Sequence, residues 1–135
     1  MGVAGLDVPT FRMLAGHSGT APTVAIVSGR CFAGNAAVAG CCDVIIATEN
    51  ANLGMGGPAM IEGGGLGVFT PEEVGPMAVQ VPNGVVDLLV ADEAEAVAAA
   101  KTYLAYFQGP VSDWRAADQE KLRRAIPEVC LWTTR

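Results

Sequence analysis

Two short β-branched runs flank a stretch of very small residues, and this arrangement constrains the fold more than any other feature of the chain. Residues 23–27 read TVAIV and are bounded by proline and glycine, which predicts a buried strand. Residues 33–42 read AGNAAVAGCC, enough for about three helical turns, and residues 43–47 read DVIIA, a second strand. A strand, a small-residue helix and a strand within about 25 residues indicate a crossover, so the sequence predicts an α/β fold.

The length and composition indicate one folded domain. The chain has 135 residues, 51% of them hydrophobic, and only 6% aromatic. It is therefore too apolar to be disordered, and its core must pack small side chains closely. No apolar run is long enough for a membrane span, and the N-terminus lacks the pattern of an export signal. The net charge of −6 argues against nucleic acid as a partner.

The cysteine pattern does not suggest a metal site. Cys31, Cys41, Cys42 and Cys130 form no Cys-x-x-Cys pair, and the single histidine, His17, is distant from them in sequence. A structural zinc ion needs four suitably spaced ligands, so we predict no metal. Adjacent cysteines in an Ala/Val run are typical of small, reduced core residues, which predicts a cytoplasmic protein. We assign no role to the histidine.

Helix and turn signals follow in the second half of the chain. The segment TPEE (70–73) predicts a capped, short helix, and Pro82-Asn83-Gly84 predicts a turn into a strand at 85–90. A helix beginning at Asp92 and a charged helix over about 118–126 complete the pattern. The predicted apolar face of the former consists of Val97, Ala100, Leu104 and Phe107.

The run GMGGPAMIEGGGLG at 54–67 contains seven glycines in fourteen residues. A phosphate-binding P-loop would need a Gly-Lys pair, and no lysine occurs before Lys101; a dinucleotide fingerprint would have to open a helix directly after a strand. A plain linker is disfavoured because apolar residues such as Met60 and Leu66 are interleaved and should be buried. Glu62, the only acid in the run, is expected to be an exposed loop charge. Two interpretations are left open, a backbone brought close to a ligand and a packed surface loop.

The order of these motifs resembles a known superfamily. The segment PTVAIVSGRCFAGNAAVAGCCDVIIATENANLGM resembles the central part of the crotonase superfamily, and GPAMIEGGGLGVFTPEEVG with its continuation resembles the N-terminal half of the β-type carboxyltransferase of biotin-dependent acyl-CoA carboxylases. The likeness extends over about 20–128. It implies a crotonase-like ββα spiral that forms an incomplete single domain. Residues 1–19 would be a poorly matched N-terminal segment, 20–109 the carboxyltransferase core and 110–135 a C-terminal helix and tail.

The resemblance also implies where an acyl-CoA thioester would bind. Transfer of CO2 from carboxybiotin to an acyl-CoA passes through an enolate, whose oxygen needs hydrogen-bond donors already aimed at it. The backbone amides of Cys31, Phe32, Ala33 and Gly34 occupy the corresponding strand-to-helix turn, with Ala33 and Gly34 at the family's Gly-Gly pair. A tight packing turn is the alternative for these residues.

A second set of residues would complete the acyl-CoA site. Gly54, Gly56 and Gly57 correspond to the other wall of the acyl pocket. Arg30 could meet a CoA phosphate or carboxylate, but the favoured interpretation is a surface ion pair. Hydratases of the superfamily carry a catalytic glutamate about where Gly57 stands, so its absence argues against hydration of the thioester.

The resemblance implies no tightly bound cofactor, with acyl-CoA as substrate and carboxybiotin supplied by a partner. Because the biotin-binding half is missing from the match, the chain alone is expected to hold only the acyl side and to be inactive by itself. The other half would come from a separate protein, or the chain would form a homo-oligomer. The alternative is a non-catalytic crotonase-like binding or assembly module that keeps the fold without turnover.

Overall fold

A computed structural model of the chain describes residues 9–109 and 118–125. The elements in chain order are α1 (Thr10–Ala15), β1 (Val24–Val27), β2 (Arg30–Phe32), α2 (Gly34–Gly40), β3 (Val44–Thr48), β4 (Asn52–Gly54), α3 (Pro58–Gly63), a 3-10 helix (Pro71–Glu73), α4 (Met77–Gln80), β5 (Leu88–Val90), α5 (Glu93–Ala105) and α6 (Gln119–Ala125).

The strands form two parallel sheets, and the chain visits both in every turn. The larger sheet has the order β1-β3-β5, and the smaller one pairs β2 with β4. After β1 the chain adds β2 to the smaller sheet, passes through α2, and returns to the larger sheet as β3, beside β1. The next turn repeats this path through β4 and α3 to β5. The predicted α/β class and ββα spiral are confirmed.

Carboxylates fix the register of the larger sheet where its strands begin. The Asp43 carboxylate accepts hydrogen bonds from the Thr23 amide at 2.8 Å and the Thr23 hydroxyl at 2.9 Å. One turn later, the Asp87 carboxylate accepts from the Ile45 amide at 2.7 Å. The bonds from the amide and then the hydroxyl of Thr23 hold the pKa of Asp43 below its ordinary value. An acid directly before β3 and another directly before β5 thus each bind near the beginning of the preceding strand of this sheet.

The core consists of two clusters on opposite faces of β3, because successive side chains of a strand point to opposite sides. On one face Ala47 lies in a cluster with Ala36 and Ala39 of α2, and on the other Ile46 packs against Ala96 and Ala100 of α5. Alanines let both helices approach the sheet closely, so the expectation of a small-residue core holds.

The apolar face predicted for α5 is wrong in three of its four residues. Ala100 is buried, but Val97, Leu104 and Phe107 are 44%, 36% and 54% exposed, whereas Ala96, outside the predicted face, is fully buried. In an alanine-rich helix the larger side chains dominate any periodicity read from sequence. The flat surface of the sheet selects the smallest residues instead, because only they allow close approach.

Other elements differ from expectation mainly in length. The helix predicted over 33–42 ends at Gly40, and the following Cys41 and Cys42 are half-buried and not core residues. The strand predicted over 85–90 is reduced to β5, because the amides of Val85 and Val86 bond back to the Gln80 carbonyl in a turn. The capping box at Thr70 and Glu73 is confirmed, on a 3-10 helix.

Five elements were not predicted: α1, β2, β4, α3 and α4. Among the helices in the described residues, none combines the length and apolar character that crossing a membrane requires.

Candidate functional site

The turn from β2 into α2 presents a helix start without a side-chain cap. Ala33 stands between the two elements with φ 52° and ψ −119°, and within the described chain it is the only residue other than glycine with positive φ. The first bond along the helix runs from the Ala37 amide to the Ala33 carbonyl at 3.0 Å. The amides of Gly34 and Asn35 precede that bond, so they have no partner within the helix, and both residues are exposed.

The end of β4 lies directly beside this turn. Phe32 is paired with Gly54 in the smaller sheet, and the Ala33 amide donates to the Gly54 carbonyl at 3.2 Å. The structure therefore brings together the two segments that the sequence singled out, around 31–34 and around 54–57. Because the Ala33 amide is bonded to β4, Gly34 is the first residue of the turn whose amide is a candidate donor to a ligand.

Two of the three predicted wall glycines are in close contact with neighbouring side chains. A methyl group at Gly57 would lie 3.5 Å from the Phe32 ring, and one at Gly54 would lie 3.3 Å from Cγ1 of Val74. Gly56 is less constrained, since its nearest side-chain atoms, on Met60 and Ile61, lie 3.9 Å away. The backbone at Gly54 and Gly57 thus runs against the aromatic ring that precedes the turn.

The glycine run as a whole is ordered. It contains α3, and Glu62 is exposed as predicted, although on this helix and not on a loop. The expectation that the apolar residues of this region are buried is wrong for most of them, because they find no apolar surface to pack on among residues 9–109 and 118–125. The exposed ones are Met55, Met60, Leu66, Val68 and Phe69.

Arg30 forms a surface ion pair, which is the interpretation that the sequence favoured. Its guanidinium bonds the Glu72 carboxylate, and both side chains are more than half exposed. The bond from Arg30 holds the pKa of Glu72 below its ordinary value.

Arg30 and Cys31 also line an open cavity of about 340 Å³ beside β1. Burial raises the pKa of the Cys31 thiol, which therefore stays protonated near neutral pH.

Asn52 organises the far side of the site, and the sequence analysis missed it. Its buried side-chain amide donates to the carbonyls of Glu72 and Val74, each at 3.1 Å. The Leu53 amide in turn donates to the Gly75 carbonyl at 2.9 Å. These bonds attach the segment after the glycine run to β4. The available signal was an asparagine inside the apolar segment ANLG, where a buried polar side chain must find partners.

The remaining polar groups do not form a second centre in the part of the chain that the structure describes. No three His, Cys, Asp or Glu side chains there are arranged to hold a metal ion. His17 is exposed, and its carbonyl accepts a bond from the Thr20 hydroxyl at 2.7 Å. The site is thus built from backbone amides, glycines and an aromatic ring.

Comparison with known proteins adds the family context. The carboxyl transferase domain profile matches residues 5–128. Among solved structures, a single-chain, multi-domain long-chain acyl-CoA carboxylase is 67% identical over 93% of this chain, with a TM-score of 0.79. The beta subunit of P. aeruginosa geranyl-CoA carboxylase is 25% identical over 78% of this chain, with a TM-score of 0.61. No curated protein matches.

A third structure bears on the fold alone. The transcarboxylase 12S hexamer core, with hydrolysed methylmalonyl-coenzyme A bound, is 24% identical over 87% of this chain, with a TM-score of 0.67. The chain spans 13%, 21% and 24% of the lengths of these three proteins, respectively. The similarity confirms the crotonase-like carboxyltransferase fold and its coverage of only part of the larger proteins.

Proposed function

The chain belongs to the carboxyl transferase domain family, and on that premise we propose that it forms the acyl-CoA side of a site at which CO2 passes from carboxybiotin to an acyl-CoA. The observation that carries this proposal is the pairing of Phe32 with Gly54, which sets the uncapped start of α2 beside the glycine wall. The 67% identity to a long-chain acyl-CoA carboxylase supports a long-chain acyl-CoA as the substrate.

In this proposal the thioester oxygen is held by backbone amides of the segment Cys31, Phe32, Ala33 and Gly34. Gly34 is the donor best placed, because it is exposed and lies ahead of the first helical hydrogen bond. Negative charge that develops on the thioester oxygen as the α-carbon loses its proton is stabilised by such donors, since they are already oriented. The helix start adds a favourable dipole.

The acyl chain and the coenzyme lie along the second wall. In this proposal the thioester lies over the backbone of Gly54, Gly56 and Gly57, which packs against the Phe32 ring and carries no side chains to obstruct a ligand. Arg30 is the cation nearest in sequence to the turn, and its bond to Glu72 would have to exchange for one to a CoA phosphate.

The carboxyl donor is proposed to come from elsewhere. Carboxybiotin, when bound, would supply the carboxyl group, and in this proposal the backbone amides and glycines described above serve the acyl thioester. A separate biotin-side half or a second copy of this chain would be the partner. The contribution of this chain is to bind the thioester and to orient its carbonyl.

A thermal-shift titration tests the proposal. The purified chain is titrated with palmitoyl-CoA, with the thioether analogue that lacks the carbonyl oxygen, and with free CoA. Ligand that binds only the folded state raises the melting temperature by mass action. We expect the largest rise in melting temperature with palmitoyl-CoA, a smaller rise with the thioether and the smallest with free CoA. The reason is that only the thioester offers an oxygen to the amides.

A pair of variants controls for effects on the fold. Gly57→Val places a branched side chain against the Phe32 ring, whereas a methyl group at Gly63 meets nothing within 4 Å. Gly57→Val should abolish the shift, and Gly63→Val should retain it. Equal shifts for thioester and thioether would refute the donor role.

The same titration addresses the alternative of a non-catalytic module. A cooperative melt with no response to any of the three ligands would favour an assembly module that retains the fold alone. Binding of the thioester without carboxylation, when both carboxybiotin and a biotin-side carboxyltransferase half are added, would favour a binding module.

A further inference from the structure

The strand β4 is held along both of its sides. Toward β2, the Asn52 amide donates to the Gly29 carbonyl at 2.9 Å. On the other side, the Leu53 amide donates to the Gly75 carbonyl, and Asn52 forms an isolated antiparallel bridge with Pro76. Successive amides of a strand point to opposite sides, so this alternation is that of a strand with neighbours on both flanks. The position of β4 therefore depends on the segment that follows the glycine run.

The buried side-chain amide of Asn52 fixes that segment against β4. Asn52 is 7% exposed, and its Nδ2 carries two hydrogens, one for each of its bonds to the carbonyls of Glu72 and Val74. An apolar side chain in this place would leave both carbonyls without this donor. These bonds also seat the Val74 side chain on β4, where its Cγ1 would lie 3.3 Å from a methyl group at Gly54.

Gly54 connects this packing to the turn that precedes α2. Its carbonyl accepts the Ala33 amide at 3.2 Å, and the Ala33 carbonyl accepts the Ala37 amide at 3.0 Å. These two bonds hold the peptide groups on either side of Ala33, whose positive φ persists only where its surroundings enforce it. In a trans peptide the C=O and the following N–H point in opposite directions. Because the Ala33 carbonyl points into α2, the Gly34 N–H points away from this helix.

We propose that Asn52 is a positioning residue for the Gly34 amide, an inference that rests on the proposed function, in which that amide binds the thioester oxygen. Asn52 acts through three contacts in series. Its side chain holds the Val74 carbonyl, and the Val74 side chain packs on Gly54. The Gly54 carbonyl then holds the Ala33 amide. Without the first contact the turn is free to relax and to rotate the Gly34 N–H, and a donor stabilises developing charge only when it is already aimed at it.

Hydrogen exchange in the ligand-free protein, followed by NMR, tests the structural part of this proposal. The variant Asn52→Ser retains a hydroxyl donor but can hold only one of the two carbonyls. We expect its Ala33 amide to exchange about tenfold faster relative to the Ala37 amide, because only the Ala33 amide bonds β4. The matched control is Ile46→Val, a core change on the α5 side of the larger sheet, which should speed both amides by the same factor.

Ligand binding tests the functional part. The wild type is expected to bind palmitoyl-CoA about three- to tenfold more tightly than its thioether analogue, which corresponds to one hydrogen bond. In Asn52→Ser this preference should fall below about twofold, while the affinity for free CoA should stay within about twofold of that of the wild type. Ile46→Val should keep the wild-type preference. A loss of stability alone leaves the ratio unchanged, since both ligands bind the folded state.

Two results would overturn the proposal. Equal acceleration of the Ala33 and Ala37 amides in Asn52→Ser would mean that Asn52 adds only stability. Selective acceleration at Ala33 with an unchanged thioester preference would mean that the donor does not depend on Asn52. A wild type that does not prefer the thioester refutes instead the donor role in the proposed function. The exchange experiment, which uses no ligand, then still decides whether Asn52 holds the turn.

If Asn52→Ser loses its cooperative melt, Val74→Ala takes its place in both experiments. This variant leaves the hydrogen bonds of Asn52 intact and removes the packing on Gly54, which is the second contact in the series. The same outcomes then decide.

Discussion

At Gly75 the backbone has a φ of +57°, and a methyl group there would lie 1.9 Å from the Leu53 carbonyl oxygen. Gly84 has a similar φ of +72° but nothing within 4 Å of such a methyl. Gly84→Ala should therefore destabilise the fold by about 1 kcal/mol, the cost of the left-handed backbone alone. Gly75→Ala should cost about 3 kcal/mol, since the clash is added. Urea unfolding measures the free energy of unfolding of both variants. Equal losses of stability in the two would contradict a clash at Gly75.

Ala33 is the reverse case, a residue with a side chain where glycine is preferred. Its φ of 52° and ψ of −119° are strained for alanine. Ala33→Gly should raise stability by about 1 kcal/mol, because relief of strain exceeds the added entropy of the unfolded chain. Thermal unfolding measures the change, and Ala37→Gly, within α2, serves as a control that should destabilise. A lower melting temperature for Ala33→Gly would show that its conformation is not strained.

Among the elements, the beginning of β1 depends on an ionised acid. The pKa of Asp43 is lowered by its bonds to Thr23. A carboxylate with a lowered pKa stabilises the fold at pH values above the pKa of the unfolded chain, and this contribution is lost as the pH falls through the lower folded-state pKa. We therefore expect acid to destabilise the protein below about pH 4. Melting temperatures of the wild type and Asp43→Asn between pH 7 and 3 check this.

The Asp43→Asn variant should be less stable at neutral pH and lose less stability in acid. The variant will retain part of the pH dependence of stability, because the pKa values of Glu72, Glu73 and Glu93 are lowered too. The hydrogen bonds that lower them come from Arg30, Thr70 and Ser28, respectively. If the melting temperatures of the wild type and of Asp43→Asn fell in parallel as the pH is lowered, Asp43 would not contribute to the pH dependence of stability.

The sequence predicted those elements whose signals are local. The β-branched runs at β1 and β3 and the N-cap at Asp92 are where they were expected. By contrast, β2 and β4 are three residues long, and each becomes a strand only because the other lies beside it. The role of Asn52 was hidden for the same reason, since its partners are 20 and 22 residues away. Of the candidate site, the sequence identified the two segments but not their hydrogen bonding.

For the whole molecule, stability should be highest at β3. This strand is central in the larger sheet, and Ile46 and Ala47 are fully buried between α5 and α2. Their amides should exchange with solvent more slowly than any others, while amides at 64–69, in an exposed segment, should exchange fastest among the ordered loops. Hydrogen-exchange mass spectrometry measures both, and faster exchange at β3 than at α5 would contradict this order.

The two carboxylate contacts of the larger sheet also differ in the length of chain that they close. The bond from Thr23 to Asp43 closes a loop of 20 residues, and that from Ile45 to Asp87 closes one of 42. A doubling of loop length costs about 0.6 kcal/mol of closure entropy, so the first turn of the spiral should assemble before β5 docks. Val44→Ala should then slow refolding, whereas Val90→Ala should mainly speed unfolding, as stopped-flow kinetics would show. The turn that forms first carries the donor segment at residues 31–34, whereas the glycines at 54–57 belong to the second turn. The nascent polypeptide would therefore acquire the proposed backbone donors before the other wall of the site.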